Sequence, residues 1–168
     1  MLREQPFGRR PEARVLIEDE VLQCIFRFRQ VSADATEAGG ILLGYRRGEH
    51  LHVADATAPA KGDHRDRYGF ARNDPMHQRH ATIAWKRSGG ILDYIGEWHT
   101  HPQRRPRPSD LDQTEWRKVC MLKREPMVFV ILGTEASWVG VGLHKQLRVA
   151  NEAGADRQAE NVDVAAGV

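Results

Sequence analysis

The stretch Gly96 to Asp112, GEWHTHPQRRPRPSDLD, holds two histidines one residue apart, a loop stiffened by three prolines, and a serine followed by two acids. The apolar residues before it, ILDYIGEW, read as a strand. Its far end reads as the start of a helix running from about Ser109 to Lys123, with Trp116, Val119 and Cys120 on one side. In an extended segment, side chains at i and i+2 point the same way, so His99 and His101 can offer imidazole nitrogens to one point. Asp112, in the first helical turn, can direct its carboxylate back toward the helix start and complete a His, His, Asp set. Three protein ligands leave a fourth position for water, the pattern of a catalytic zinc centre. Closed structural sites usually take four ligands, often cysteines, and none is near.

A plainer reading covers part of this. Serine at a cap with an acid three residues later is a capping box, which by itself explains Ser109 and Asp112. It does not explain two histidines at strand spacing, nor a loop whose Pro102, Pro106 and Pro108 fix the gap between strand end and helix start. His50, His52, His64, His77, His80 and His144 show no comparable clustering and read as surface or packing residues. A water at such a centre needs a base. Glu97 shares the histidines' side of the strand but sits one pleat back and reads as structural. Glu37 stands at the mouth of the apolar strand GGILLG, where burial would tune a carboxylate as a proton shuttle, although spacing alone does not decide for it.

Outward from this stretch, residues 1–13 read as a polar arm leading into a short strand, RVLI. Val21, Ile25 and Phe28, with Leu22 beside them, predict an amphipathic helix from Glu18 to Gln30. GGILLGYRR and HLHVADATA form a hairpin around Gly48. PAKGDHRDRYGFARNDP is expected to be an exposed connection with little regular structure. Asp74 and Pro75 open a helix with a stripe of Met76, His80, Ile83 and Ala84, ended by Gly89 and Gly90. PMVFVILG and SWVGVGLH are the last strands. Residues 150–168 are polar and alanine-rich, and are expected to be a disordered tail after a single domain at 14–149.

Composition narrows the function classes. A chain of 168 residues is one ordinary domain. Its 25 basic and 23 acidic side chains leave a net charge of +2, no cationic surface for nucleic acid. Cys24 and Cys120 lie far apart in apolar helical surroundings, which suits buried packing residues in a reducing compartment. No apolar run approaches the roughly 20 residues of a membrane span, and the start lacks a signal-peptide core. A cytoplasmic protein is expected.

The residues Glu37 to Gly44, EAGGILLG, followed downstream by HTHPQRRPRPSDLD, resemble the JAB/MPN metalloprotease family. Its signature is a glutamate on an early strand, then His-x-His-Pro, ten residues between the second histidine and an aspartate, and Ser-x-x-Asp at the end, all of which this chain matches. The likeness covers about Arg14 to Leu147, and the flanks GEWHTHP and DLDQTEWRK look most like the compact prokaryotic branch. The resemblance implies an α/β, three-layer, cytidine-deaminase-like fold, a mixed and largely antiparallel sheet flanked by helices. It implies Zn2+ on His99, His101 and Asp112, with Glu37 as general acid and base and Ser109 helping to hold the oxyanion. The implied substrate is the extended C-terminal tail of a conjugated protein, either ubiquitin-like or a CD-NTase joined by a ubiquitin-transfer-like system in bacterial antiviral defence. The implied partners are operon-encoded ubiquitin-activating-like and conjugating-like enzymes, with neither nucleic acid nor membrane.

Two other readings share the fold. A processing protease could mature the C-terminus of a ubiquitin-like or sulfur-carrier protein with the same chemistry. A non-catalytic binding module would show a replaced ligand or a replaced Glu37, and none is replaced. A nucleobase deaminase would need His-x-Glu and Pro-Cys-x-x-Cys, which are missing. The catalytic reading requires the Glu37 strand to lie beside Gly96 to His99. An incoming chain is expected along a strand edge near HLHVADATA or along the 102–108 loop.

Overall fold

The computed structural model describes residues 14–48, 50–144 and 146–149. Strand β2 (Gly39–Arg47) is buried from Gly39 to Gly44 because it lies mid-sheet, with neighbours on both edges and packing on both faces. It forms an antiparallel hairpin with β3 (His50–Ala56). Its other edge takes β6 (Asp93–Thr100), also antiparallel, with Gly39 opposite His99 and Gly40 opposite Trp98. The pairing expected of the Glu37 strand and the histidine strand is therefore present. β6 runs parallel to β7 (Met127–Leu132), every residue of which is buried. β8 (Ser137–Leu143) and β9 (Gln146–Val149) continue antiparallel, and β1 (Val15–Ile17) closes the opposite edge parallel to β3. The strand order is β1-β3-β2-β6-β7-β8-β9.

Three helices cover this mixed, largely antiparallel sheet. α1 (Asp19–Phe26) packs Val21 and Ile25 against Leu42, Val53, Ile95 and Trp98. On the other face, α3 (Asp110–Lys123) packs Trp116 and Cys120 against Met127, Phe129 and Ile131, with Trp116 stacked between Phe129 and Trp138. α2 (Met76–Arg87) and α3 border a cleft of about 560 Å³ floored by Tyr94 and Glu97. The layers are helix, sheet, helices, as expected. Gly96 shows how closely the central strands approach: a Cβ there would lie 1.8 Å from the Val128 carbonyl oxygen.

Several expectations need correction. α1 ends at Phe26 and not Gln30, because the chain turns there to carry Phe28 onto Trp98, ring centroids 5.8 Å apart. The 59–74 connection is not structureless, since β4 (His64–Arg65) and β5 (Phe70–Ala71) pair within it. The α2 stripe is misplaced: His77 is the buried residue and Ile83 is 51% exposed. Asp74 does cap that helix, accepting the Met76 N–H at 2.8 Å, and Gly89 and Gly90 end it at positive φ. β9 extends the sheet beyond the last expected strand. β3 is no free edge along Leu51–Val53, where β1 covers it. Both cysteines are free, Cys120 buried and Cys24 half-buried. Among the described residues no helix is long and apolar enough to cross a membrane. The expected arm at 1–13 and tail at 150–168 lie outside the described residues.

Candidate metal centre

β6 delivers both histidines. The His101 N–H donates to the Leu132 carbonyl at 2.9 Å, so β6–β7 pairing persists one residue past the strand and both rings stay on one side. Their Nε2 atoms are 3.0 Å apart. Asp112 arrives from the first turn of α3, where the capping box is complete. Ser109 Oγ accepts the Asp112 N–H at 3.1 Å, and Asp112 Oδ2 accepts the Ser109 N–H at 2.7 Å. Ser109 Oγ–H also donates to that oxygen at 2.7 Å. Asp112 Oδ1 lies 3.4 Å from His99 Nε2, and Oδ2 lies 3.5 Å from His101 Nε2.

These separations test whether one ion fits. Four ligands arranged tetrahedrally at bond lengths of about 2.0–2.1 Å sit roughly 3.3 Å from one another. The two imidazole nitrogens, 3.0 Å apart, each have one of the two Asp112 oxygens at 3.4–3.5 Å, with one ligand atom from each residue within 4.8 Å of the others, and the donor set of two imidazoles and a carboxylate suits a borderline-soft divalent metal. Glu37 comes from the loop leading into β2, and its Oε1 stands 4.0 Å from His101 Nε2, too far to share the triangle and near enough to reach a water there.

The environment separates the two carboxylates. Glu37 is 6% exposed, and burial pushes its carboxyl up to about 7 against the favourable pull of His99. Burial also acts against the ionised form of Asp112, but hydrogen bonding and attraction from His99, with the Ser109 contacts, outweigh it and hold Asp112 at about 2. Burial and the neighbouring His99 lower His101, favouring the neutral imidazole that ligates metals. The two carboxyls of one site are thus pushed in opposite directions, Asp112 down and Glu37 up.

The remaining histidines behave as packing or surface residues. His52 pairs with Glu18, His80 with Asp55, and buried His77 bridges Thr57 Oγ1 at 2.6 Å and Asp63 at 2.9 Å. Glu97 accepts from Arg72 at 2.7 Å and Tyr94 Oη at 2.8 Å, a structural role as expected. Sequence reasoning missed the group that registers Glu37 against the histidines. Thr100, between them, points to the opposite face, accepts the Ala38 N–H at 3.0 Å and donates to Gln30 Oε1 at 3.1 Å. Gln30 Nε2 then donates to the Ala35 and Arg67 carbonyls. Arg65 donates to the Glu37 carbonyl at 2.7 Å, and the Glu37 N–H donates to the Asp66 carbonyl. The only signal was a buried-side threonine in an HTH triplet.

A shielded glutamate stands beside two imidazoles and a carboxylate that could hold a metal ion, at the end of a mixed sheet. The family model described as prokaryotic homologs of the JAB domain matches residues 21–141. The chain is 35% identical over 134 residues to a protein of Escherichia coli (strain TW11681) named CD-NTase/cGAS isopeptidase, covering 80% of this chain and 85% of that protein. A protein of the same name from Vibrio cholerae serotype O1 is 37% identical, covering 82% and 87%. Another from Pseudomonas aeruginosa (strain BWHPSA011 / Pa011) is 40% identical, covering 66% and 71%. The solution structure of protein DSY2949 from Desulfitobacterium hafniense superposes with a TM-score of 0.57 at 18% identity, covering 81% of this chain and 89% of that one, and supports the fold. The chain belongs to the prokaryotic JAB family and is a hydrolase of that family.

Proposed function

We propose that His99, His101 and Asp112 hold zinc and that the chain hydrolyses the isopeptide bond at the C-terminus of a conjugated protein. The conjugated chain is a CD-NTase, as the names of the relatives suggest, and the setting is bacterial antiviral defence in the cytoplasm, beside ubiquitin-activating-like and conjugating-like enzymes. Residues 14–149 form the catalytic domain, around the family match at 21–141. The observation that carries this reading is the cluster of His99, His101 and the Asp112 carboxylate, with nitrogens 3.0 Å apart and a carboxylate oxygen 3.4–3.5 Å from each, and buried Glu37 4.0 Å from His101.

Zinc, when bound, supplies a Lewis acid that lowers the pKa of water and polarises a carbonyl. Glu37 accepts the proton of the attacking water and passes it to the leaving lysine amine, a transfer its place beside the donor set allows. The Ser109 hydroxyl turns from Asp112 to donate to the carbonyl oxygen as negative charge develops. Thr100 and Gln30 hold the Glu37 backbone in place throughout.

Two variants separate ligand from base. Glu37→Ala retains zinc and loses cleavage of a C-terminally linked conjugate by at least about a hundredfold. Asp112→Ala loses both metal and activity. Zinc content by elemental analysis and cleavage by gel shift give four values. Loss of metal in Glu37→Ala, or activity surviving there, would sink the assignment.

A further inference from the structure

A second cleft, about 940 Å³ and open to solvent, lies on the far side of α3 between the 102–108 loop and strands β8 and β9. Arg105, Arg107, Arg117 and Arg148 line it, with Trp138 and Leu147, and no carboxylate does. Arg117 and Arg148 are steadied by the neutral amide oxygens of Gln113 and Gln146, each at 3.1 Å. Among the described residues none of the four forms an ion pair, whereas adjacent Arg104 does, with Glu135 at 2.5 Å. Four exposed guanidinium groups lining one cleft make a local positive patch on a chain whose net charge is only +2.

We propose that this cleft binds a carboxylate-rich segment of the protein substrate. Guanidinium forks match carboxylates two bonds at a time, and Trp138 and Leu147 offer apolar surface for the methylene stems of Glu and Asp. The cleft shares Arg107 and Pro108 with the segment that runs directly into Ser109, so it lies at the approach to the first turn of α3, which carries Asp112. Nucleic acid fits less well, because the basic residues form one pocket on a nearly neutral chain and not a stripe along a backbone. The identity of the occupant as substrate rests on the isopeptidase reading, while its acidic chemistry rests on the cleft alone.

The test uses the full zinc-loaded chain and fluorescein-labelled hexaglutamate at low ionic strength, read by anisotropy. Hexalysine and a six-nucleotide oligothymidylate are the controls. The triple variant Arg105→Gln, Arg117→Gln, Arg148→Gln touches none of the metal or proton-transfer residues. It should keep the thermal midpoint and zinc content of the parent and weaken hexaglutamate binding at least about tenfold. On a cleavable conjugate, KM should rise with kcat unchanged. Hexaglutamate binding equally to parent and triple variant, or to neither, overturns the proposal. Tighter binding of oligothymidylate through the same arginines overturns it in favour of a nucleic acid. Residues 150–168 contain Glu152, Asp156, Glu160 and Asp163 against Arg157. If the parent binds no peptide and a full chain with those four acids changed to Gln or Asn does, the occupant belongs to the chain itself and the assignment to a partner is overturned. A parent that binds hexaglutamate yet cleaves no conjugate refutes the isopeptidase reading and leaves the cleft's chemistry standing.

Discussion

Glu37 is held at a cost to the fold. Its carboxyl is raised to about 7 by burial, so between its ordinary 4.5 and that value the folded chain keeps a proton that the unfolded chain has released. Stability of the metal-free chain therefore falls as pH rises through that window, and the deficit is complete above it. Glu37→Gln, which keeps the shape without the charge, should stabilise the metal-free chain by about 1–3 kcal/mol above pH 7 and change nothing near pH 4. Denaturant titrations at the two pH values check this, and equal shifts at both would refute it. Asp112 has the opposite sign: lowered to about 2, it contributes stability above its ordinary 3.8 that is lost as pH falls toward 2. Two acids of one centre thus load the fold in opposite directions.

At the scale of elements, the centre is a junction between the end of β6, the first turn of α3 and the loop before β2, and only the first two are joined by a short stretch of chain. The third is fastened by Thr100 and Gln30 from behind and by Arg65 and Asp66 from the β4–β5 hairpin. Thr100→Val preserves volume but strands the Ala38 N–H and the side-chain Oε1 of Gln30, both residues being buried. Zinc content should be unchanged, kcat should fall about tenfold or more, and stability should drop by about 1–3 kcal/mol. Thr100→Ser should restore most of kcat, which a purely destabilising change would not explain. Full activity in Thr100→Val would show that Glu37 needs no such fastening.

For the whole molecule, the proposed zinc would raise stability by mass action, by about 4 kcal/mol at a thousandfold excess over its dissociation constant. Chelation should lower the thermal midpoint of the parent and of Glu37→Ala, and leave that of Asp112→Ala unmoved; calorimetry with and without chelator decides. The sequence made the histidine pair and the acid of the helix legible because strand and helix periodicity are local. Glu37 was a candidate from its place at the mouth of an apolar strand, but only the family motif decided for it, since spacing does not separate one such carboxylate from another. The Thr100–Gln30 link escaped because it spans 70 residues of chain. The β4–β5 pairing escaped because two-residue strands in a polar stretch carry no periodic signal. Ile83 was misassigned because α2 borders a cleft and does not lie flat on the sheet.

The parallel pairing of β6 with β7 bears on synthesis. Gly96 to Thr100 are lodged between β2, made early, and Val128 to Leu132, made late, with α3 between. A chain emerging from the ribosome carries Glu37 long before either histidine, and it cannot seat the histidines until the seventh strand has left the exit tunnel. The strand that carries the histidines thus gains its second neighbour only late in synthesis, once Val128 to Leu132 are made.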